Sequence, residues 1–342
     1  MSLPPSDRAE AFELASAACG REPFILEKDT WVVWALSVVF AEGFGGRLAF
    51  KGGTSLSKAY GAIDRFSEDV DLTHDIRPLL ADVPGVGEDG LPETRSQSKR
   101  WTEAARERLA AWISADLKPV VDRAIEAAGL EATTRVHGLA SEKLGILYRP
   151  SVEALHPGGY VAPEVTLELG GRATGEPVEV LRVRCDAAPH VPGVAFPEAS
   201  PRVMRIERTF WEKATAAHVF CAQGDLKGER FSRHWCDLAA LSRHARYASM
   251  LADRRVADAV ARHKAHFFRE NLPGGGGPVD YAAAVGGRLR IVPSGEAAAA
   301  LEADHAAMAA SGMLGASATT FAEVMETCAR IEREANAAAA RG

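Results

Sequence analysis

An α/β (α+β) fold, with a small mixed sheet early in the chain and a largely helical later part, is predicted by three observations. Short runs of alternating or apolar residues that read as strands fall almost entirely before residue 200. Ala-rich stretches of helical character dominate from Pro201 to the end. The length of 342 residues suits about two domains, so the division is placed at 1–200 and 201–342.

The elements follow in order. Arg8 to Cys19 reads as a short Ala-rich helix. Glu27-Lys28-Asp29-Thr30 precede the apolar run Trp31 to Phe40. Acidic residues ahead of such a run suit a helix N-terminus, where carboxylates meet unpaired N–H groups, and Gly43, Gly45 and Gly46 end the helix. Arg47 to Lys51 is a short strand, Gly52-Gly53 a turn, and Thr54 to Ala62 a helix capped by Thr54 or Ser55. Glu68 to Thr73 is a second strand of alternating polarity. Asp82 to Pro92 is a surface loop, and Ser96 to Ala128 a long amphipathic helical stretch. Strands are expected at Thr133 to Val136, Lys143 to Tyr148, Glu164 to Leu169 and Pro177 to Cys185. Asn271-Leu272-Pro273 and Gly274 to Gly277 form a loop or hinge among the later helices.

Composition narrows the function classes. The five cysteines (Cys19, Cys185, Cys221, Cys236, Cys328) lack CxxC spacing, which argues against a disulfide framework or zinc module and fits a reducing compartment. Residues 1–7 lack a basic segment leading into an apolar run, so no secretory signal is expected. Trp31 to Phe40 is far shorter than the roughly 20 apolar residues of a membrane-crossing helix. A soluble, cytoplasmic protein with no membrane partner is expected. The formal net charge of −6 does not advertise nucleic-acid binding, although a local basic patch is enough. Three such clusters exist: Arg95, Lys99, Arg100, Arg106 and Arg108; Arg202, Arg205 and Arg208; Arg230, Arg233, Arg243 and Arg246. Each is either a solvated helix face with local ion pairs or a phosphate-contacting surface.

The chemistry is carried by one constellation: strand, Gly52-Gly53, Thr54-Ser55, helix, then Asp69-Val70-Asp71 on the next strand. Glycines allow unusual φ angles and close approach of a phosphate to the backbone. A helix N-terminus offers free N–H groups to an anion. Asp69 and Asp71 stand two apart on a strand, so both side chains point to one face. Two adjacent carboxylates repel each other unless a cation sits between them, and hard Mg²⁺ prefers oxygen ligands. Such parts hold a nucleotide triphosphate (NTP) by its tail through metal ions. The spacing is not that of a Walker P-loop, and no Gly-x-Ser-x-Gly elbow is present. His263-x-x-His266 lacks further zinc ligands and reads as packing; Trp31/Trp34 and Phe267/Phe268 read as core.

Phe50-Lys51-Gly52-Gly53-Thr54-Ser55-Leu56-Ser57-Lys58-Ala59-Tyr60 and Arg65-Phe66-Ser67-Glu68-Asp69-Val70-Asp71-Leu72 resemble the signature of the AbiEii/AbiGii nucleotidyltransferase toxins, which include the MenT toxins, within the polymerase-beta-like nucleotidyltransferase superfamily. Gly-Gly-Thr-Ser replaces the superfamily's usual Gly-Ser, as is common in the toxin branch. Weaker likenesses run along the chain: Glu27-Lys28-Asp29, His263-Lys264 with Phe267-Phe268, Arg290-Ile291-Val292-Pro293, and Asp304 with Met308.

The resemblance implies a nucleotidyltransferase core followed by a helical domain that contributes Lys213 and Asp237. It implies metal ligation (Mg²⁺ or Mn²⁺) by Asp69, Asp71 and a third carboxylate, assigned to Glu168 with Glu164 as fallback. It implies catalytic Asp69, Asp71, Lys213 and Asp237, and nucleotide binding by Gly52, Gly53, Thr54, Ser55, Arg65 and Arg233. Asp237 either orients Lys213 or contacts the nucleotide, or forms a structural ion pair between helices. Arg65 either touches the triphosphate or pairs with Glu68. Ser67 is either a regulatory phosphorylation site or an ordinary turn serine. The implied partners are an NTP, an RNA acceptor (the 3′ end of tRNA) and a cognate antitoxin. A protein or small-molecule acceptor, or a non-catalytic nucleotide-binding module, are the alternatives.

Overall fold

The computed structural model describes residues 3–41, 43–65, 67, 69–152, 162–225, 230–310, 314 and 319–341. Two compact units are present. The first comprises Met1–Ala59, Ser67–Gly90 and Arg100–Met204; the second comprises Tyr60–Phe66, Leu91–Lys99 and Arg205–Gly342. The second unit thus draws in two short segments that lie well before residue 200.

Helices α1 (Pro5–Cys19) and α2 (Pro23–Val39) each begin with a proline, whose missing N–H is no loss in a first turn. Glu27, Lys28 and Asp29 therefore lie inside α2 and are buried, contrary to their expected place at its N-terminus. Each charged group has its own partner, as burial demands. Glu27 accepts from Ser151 N at 2.9 and 3.0 Å and from Ser151 Oγ at 2.7 Å. Lys28 Nζ donates to the Ala162 carbonyl at 3.1 Å. Asp29 pairs with Lys58 Nζ at 2.6 Å and accepts from Asp186 N at 2.7 Å. Burial, against the pull of Lys58, pushes the Asp29 carboxyl up to about 6.

Next come β1 (Leu48–Lys51), α3 (Gly52–Lys58), β2 (Val70–Asp75), α4 (Ile76–Leu79), α5 (Arg95–Trp112) and α6 (Lys118–Ala127). A wide turn at Ile113–Leu117 separates α5 from α6 within what the sequence reads as one stretch. Pro119, with no N–H to give to the preceding turn, accounts for it. Strands β3 (Ala132–His137), β4 (Lys143–Tyr148), β5 (Glu164–Ala173), β6 (Val178–Val180), β7 (Val183–Arg184), β8 (Glu198–Ala199) and β9 (Arg202–Met204) complete the unit. The expected strand at Pro177 to Cys185 is split between β6 and β7, and β9 lies beyond the point where strand signals were expected to vanish.

The seven-stranded sheet has the order β3-β4-β5-β2-β1-β9-β6 and is mixed, as predicted. The β2–β5 and β1–β9 pairs are parallel and the remaining pairs antiparallel. Register assigns the two faces. Val70 pairs with Leu167, and Leu167 with Leu144; with Leu72, Val165 and Ile146 these residues make a fully buried face. Trp31 of α2 stacks on Tyr148 of that face, with ring centroids 4.8 Å apart. The opposite face carries Asp71, Thr166 and Glu168, each only partly buried.

The second unit holds α7 (Ile206–Gln223), α8 (Arg233–Leu241), α9 (Tyr247–Ala252), α10 (Arg254–Phe267), α11 (Tyr281–Ala283), α12 (Glu296–Ala310) and α13 (Phe321–Ala339). Several of the weaker sequence likenesses are framework here. Asp304 accepts from Arg230 N (2.8 Å) and Ser232 N (2.7 Å), fixing the turn that leads into α8. Ile291 N donates to Glu332 (2.7 Å), and the Ile291 carbonyl accepts from the Trp235 indole (2.6 Å). Leu272 N donates to the Gly277 carbonyl (2.8 Å), closing the glycine-rich loop. His263 and Phe267 are buried, but Phe268 is 37% exposed and is not core. No helix among the described residues is long and apolar enough to cross a membrane.

Much of the basic charge is spent internally. Arg108 pairs with Asp82, Arg208 with Glu212 (3.0 Å), and Arg246 with Glu207 (2.8 Å). Arg202 donates to the Gly46 carbonyl. Arg95, Lys99, Arg100, Arg106, Arg233 and Arg243 are exposed.

Candidate functional site

The glycine turn and the Asp pair meet in the first unit. β1 and β2 are antiparallel neighbours, and Lys51 lies opposite Asp71. The residue that leaves β1 is therefore next to the carboxylate. Gly52 adopts φ +77, and a Cβ built on it would fall 2.0 Å from Asp71 Oδ2 and 2.9 Å from Asp71 Cβ. Glycine is required twice, for the left-handed backbone and for the space that the carboxylate fills.

Asp71 is central to a row across the sheet. It pairs with Glu168 of β5, and Glu168 with Lys143 of β4, so Lys51, Asp71, Glu168 and Lys143 share the less buried face. Glu164 lies four residues away along β5, roughly 13 Å at strand spacing. Its carboxylate pairs with Arg135 (3.5 Å) and lies 3.2 Å from His137 Nε2, in space left by the missing side chain of Gly145. Glu168, not Glu164, neighbours Asp71.

Asp69 precedes β2, and its backbone is held from the side. The Thr54 hydroxyl donates to the Ser67 carbonyl (3.2 Å) and to the Asp69 carbonyl (2.5 Å). The Ser55 hydroxyl donates to the Gly52 carbonyl at 2.9 Å. Both side chains are buried inside α3, which begins at Gly52 without a side-chain cap, so neither Thr54 nor Ser55 caps the helix as expected; their hydroxyls bond backbone carbonyls instead. Ser67 is half-buried; Phe66 and Glu68 lie outside the described residues.

The donor set suits a hard divalent cation: carboxylate oxygens on one face, beside a turn with no Cβ in the way. Among the described residues, however, no three His, Cys, Asp or Glu side chains are gathered as one ion would need. Glu168 is instead drawn to Lys143 Nζ at 2.9 Å. This hydrogen bond, against the opposing effect of burial, raises the Lys143 pKa; Asp69 adds a weaker attraction. Lys143 had no signal in the sequence beyond its place on a strand, because only the pairing of β4 with β5 brings it to Glu168.

The second unit contains a buried ion cluster. Asp237 of α8, 1% exposed, accepts from Arg65 through both carboxylate oxygens (2.7 and 2.8 Å) and from Lys213 of α7 (2.8 Å). Arg65 and Lys213 are themselves buried. The fork of Arg65 is thus committed to Asp237, while Arg233, one helical turn before Asp237, is exposed. Burial alone would raise the Asp237 pKa, but Arg65 and then Lys213 drive it well below the usual carboxylate range.

Replacing Asp237 with asparagine leaves two buried cations uncompensated and is expected to cost about 3–5 kcal/mol. Since the folded pKa lies below the ordinary 3.8, the carboxylate's contribution is complete above that value and fades as pH falls through the folded value. Urea unfolding of wild type and Asp237→Asn should therefore differ most near neutrality and converge in acid.

Comparison with known proteins adds the following. A family model described as nucleotidyl transferase AbiEii toxin, type IV TA system, matches residues 34–327, a span that includes both the glycine turn with its Asp pair and the Asp237 cluster. The chain is also similar to the solved structure of MenT4, nucleotidyltransferase toxin Rv2826c from Mycobacterium tuberculosis H37Rv, at 17% identity over 99% of each chain with a TM-score of 0.43. A search of the curated proteins gives no match.

Proposed function

The chain belongs to the AbiEii family of nucleotidyl transferase toxins of type IV toxin–antitoxin systems, and on that premise we propose that it transfers a nucleotide from an NTP to the 3′-terminal hydroxyl of tRNA, blocking translation. The observation that carries this reading is the packing of Gly52 on the Asp71 carboxylate, which sets the start of α3 directly against an acid of the Asp-x-Asp motif. Asp69 and Asp71, with Glu168 as third ligand, would hold Mg²⁺ or Mn²⁺. Such ions supply neutralisation of triphosphate charge and a Lewis acid at the reacting phosphorus.

The chain's own groups do the rest. Gly52 and Gly53 let the phosphates approach the backbone. Thr54 keeps the Asp69 backbone in place through its two hydrogen bonds. For the second unit we propose phosphate binding by exposed Arg233 and by Lys213, which Asp237 orients. Arg65 braces the same Asp237 carboxylate that orients Lys213. The partner of a type IV toxin is an antitoxin. Ser67 is the proposed point of control: a phosphate there would add about −1.5 to −2 charges next to Asp69 and repel both metal-bound and free triphosphate.

The test uses each labelled NTP with Mg²⁺ or Mn²⁺ and separate total RNA, protein and small-molecule fractions. Label at the 3′ end of tRNA is expected. Label confined to protein or a small molecule would overturn the RNA acceptor while leaving the transferase activity intact. Triphosphate binding without turnover in any fraction would point to a non-catalytic module.

A further inference from the structure

Resting on the reading of Asp69, Asp71 and Glu168 as the ion site, we infer that Lys143 is a positioning residue that competes with the divalent ion for Glu168. Three observations carry this. Glu168 stands between Asp71 and Lys143 in one register row, so its carboxylate can serve either neighbour. In the structure it serves Lys143, at 2.9 Å, and no three-carboxylate cluster is formed among the described residues. The pair is also open to water, with side-chain exposures of 32% for Lys143 and 42% for Glu168.

The exposure decides the direction. A half-exposed lysine–carboxylate pair is a weak interaction, easily given up to a divalent ion that carries twice the charge. Without such an ion, Asp71 and Glu168 gather negative charge on one face of the sheet, Asp69 adds its attraction for Lys143, and a single ammonium relieves part of the repulsion. Lys143 therefore stabilises the empty site and weakens its occupancy. The long, flexible lysine stem allows the ammonium to leave without movement of β4. Glu168 reaches its ligand position only once Lys143 has released it.

The experiment measures Mn²⁺ binding to the full chain by electron paramagnetic resonance, without nucleotide, so that no turnover is involved. Lys143→Met should bind Mn²⁺ about two- to five-fold more tightly than wild type, the range expected for loss of an exposed pair. Lys143→Gln should move the same way, which protects the test if either variant folds poorly. Lys143→Arg, which keeps the charge, should stay near wild type. In a Glu168→Gln background, Lys143→Met should produce no tightening.

Unchanged or weaker binding in both neutral variants would overturn the inference, as would equal tightening in the Glu168→Gln background, which would indicate a general charge effect. Wild type that binds no Mn²⁺, or Asp71→Asn that binds as well as wild type, would instead overturn the underlying reading of the site. The two failures are thus separable.

Discussion

Asp71→Asn is expected to lower kcat/KM for nucleotidyl transfer by about 10³-fold or more, since it removes an anionic oxygen from the proposed ion site, where such ions contribute several kcal/mol of transition-state stabilisation. Asp71 is suited to this test because of its position. It lies within β2, is held by pairing to β1 on one side and β5 on the other, and is only partly buried. The amide is nearly isosteric, so the sheet should fold as before, and a thermal melt should stay close to wild type. Transfer is measured with labelled NTP under conditions where wild type turns over. Activity within ten-fold of wild type would place the chemistry elsewhere in the chain.

Gly52→Ala should have the second largest effect, about 10²-fold in kcat/KM, from displacement of a carboxylate by about an ångström. The methyl group would meet Asp71 Oδ2 at 2.0 Å, and the contact at 2.9 Å with Asp71 Cβ means that rotation of the carboxylate alone does not relieve it. A left-handed alanine adds about 1–2 kcal/mol of backbone cost. Gly20 separates the two terms. It has φ +73 at the end of α1, but a Cβ there meets nothing within 4 Å. Gly20→Ala should therefore lose similar stability and keep transfer, whereas Gly52→Ala should lose both. Equal activity in the two variants would mean that the packing of Gly52 on Asp71 has no part in the reaction.

Legibility of this site in the sequence followed the range of the interactions. The strand–glycine–helix order and the place of Asp71 on β2 were readable because these are matters of a few neighbouring residues, whereas Asp69, expected on the same strand, lies just before it. The mixed sheet and the later helices were readable from the same local patterns. Long-range pairings were not. Glu168 meets Asp71, and Lys143 meets Glu168, only through strand register. Arg65 and Asp237 are 172 positions apart, and nothing near either residue signals the other. Glu27-Lys28-Asp29 misled for a related reason. Charges before an apolar run normally mark a helix start, but these three are buried mid-helix because Ser151, Ala162, Lys58 and Asp186 supply their partners. Thr54 and Ser55 were expected to cap a helix after the glycines, but α3 already begins at Gly52 and both lie inside it, where their hydroxyls bond carbonyls whose directions a sequence does not reveal.

The hydrogen bonds of Thr54 give the two acids unequal mechanical footing. Asp71 is held in the sheet by its neighbours on both sides, whereas Asp69 sits just outside β2, where its carbonyl accepts from the Thr54 hydroxyl of α3. On the proposed reading, one ligand stands within a strand and the other at that strand's edge. A force applied at Ser67, by an antitoxin surface or a phosphate there, would then reach the edge ligand without unfolding a single strand.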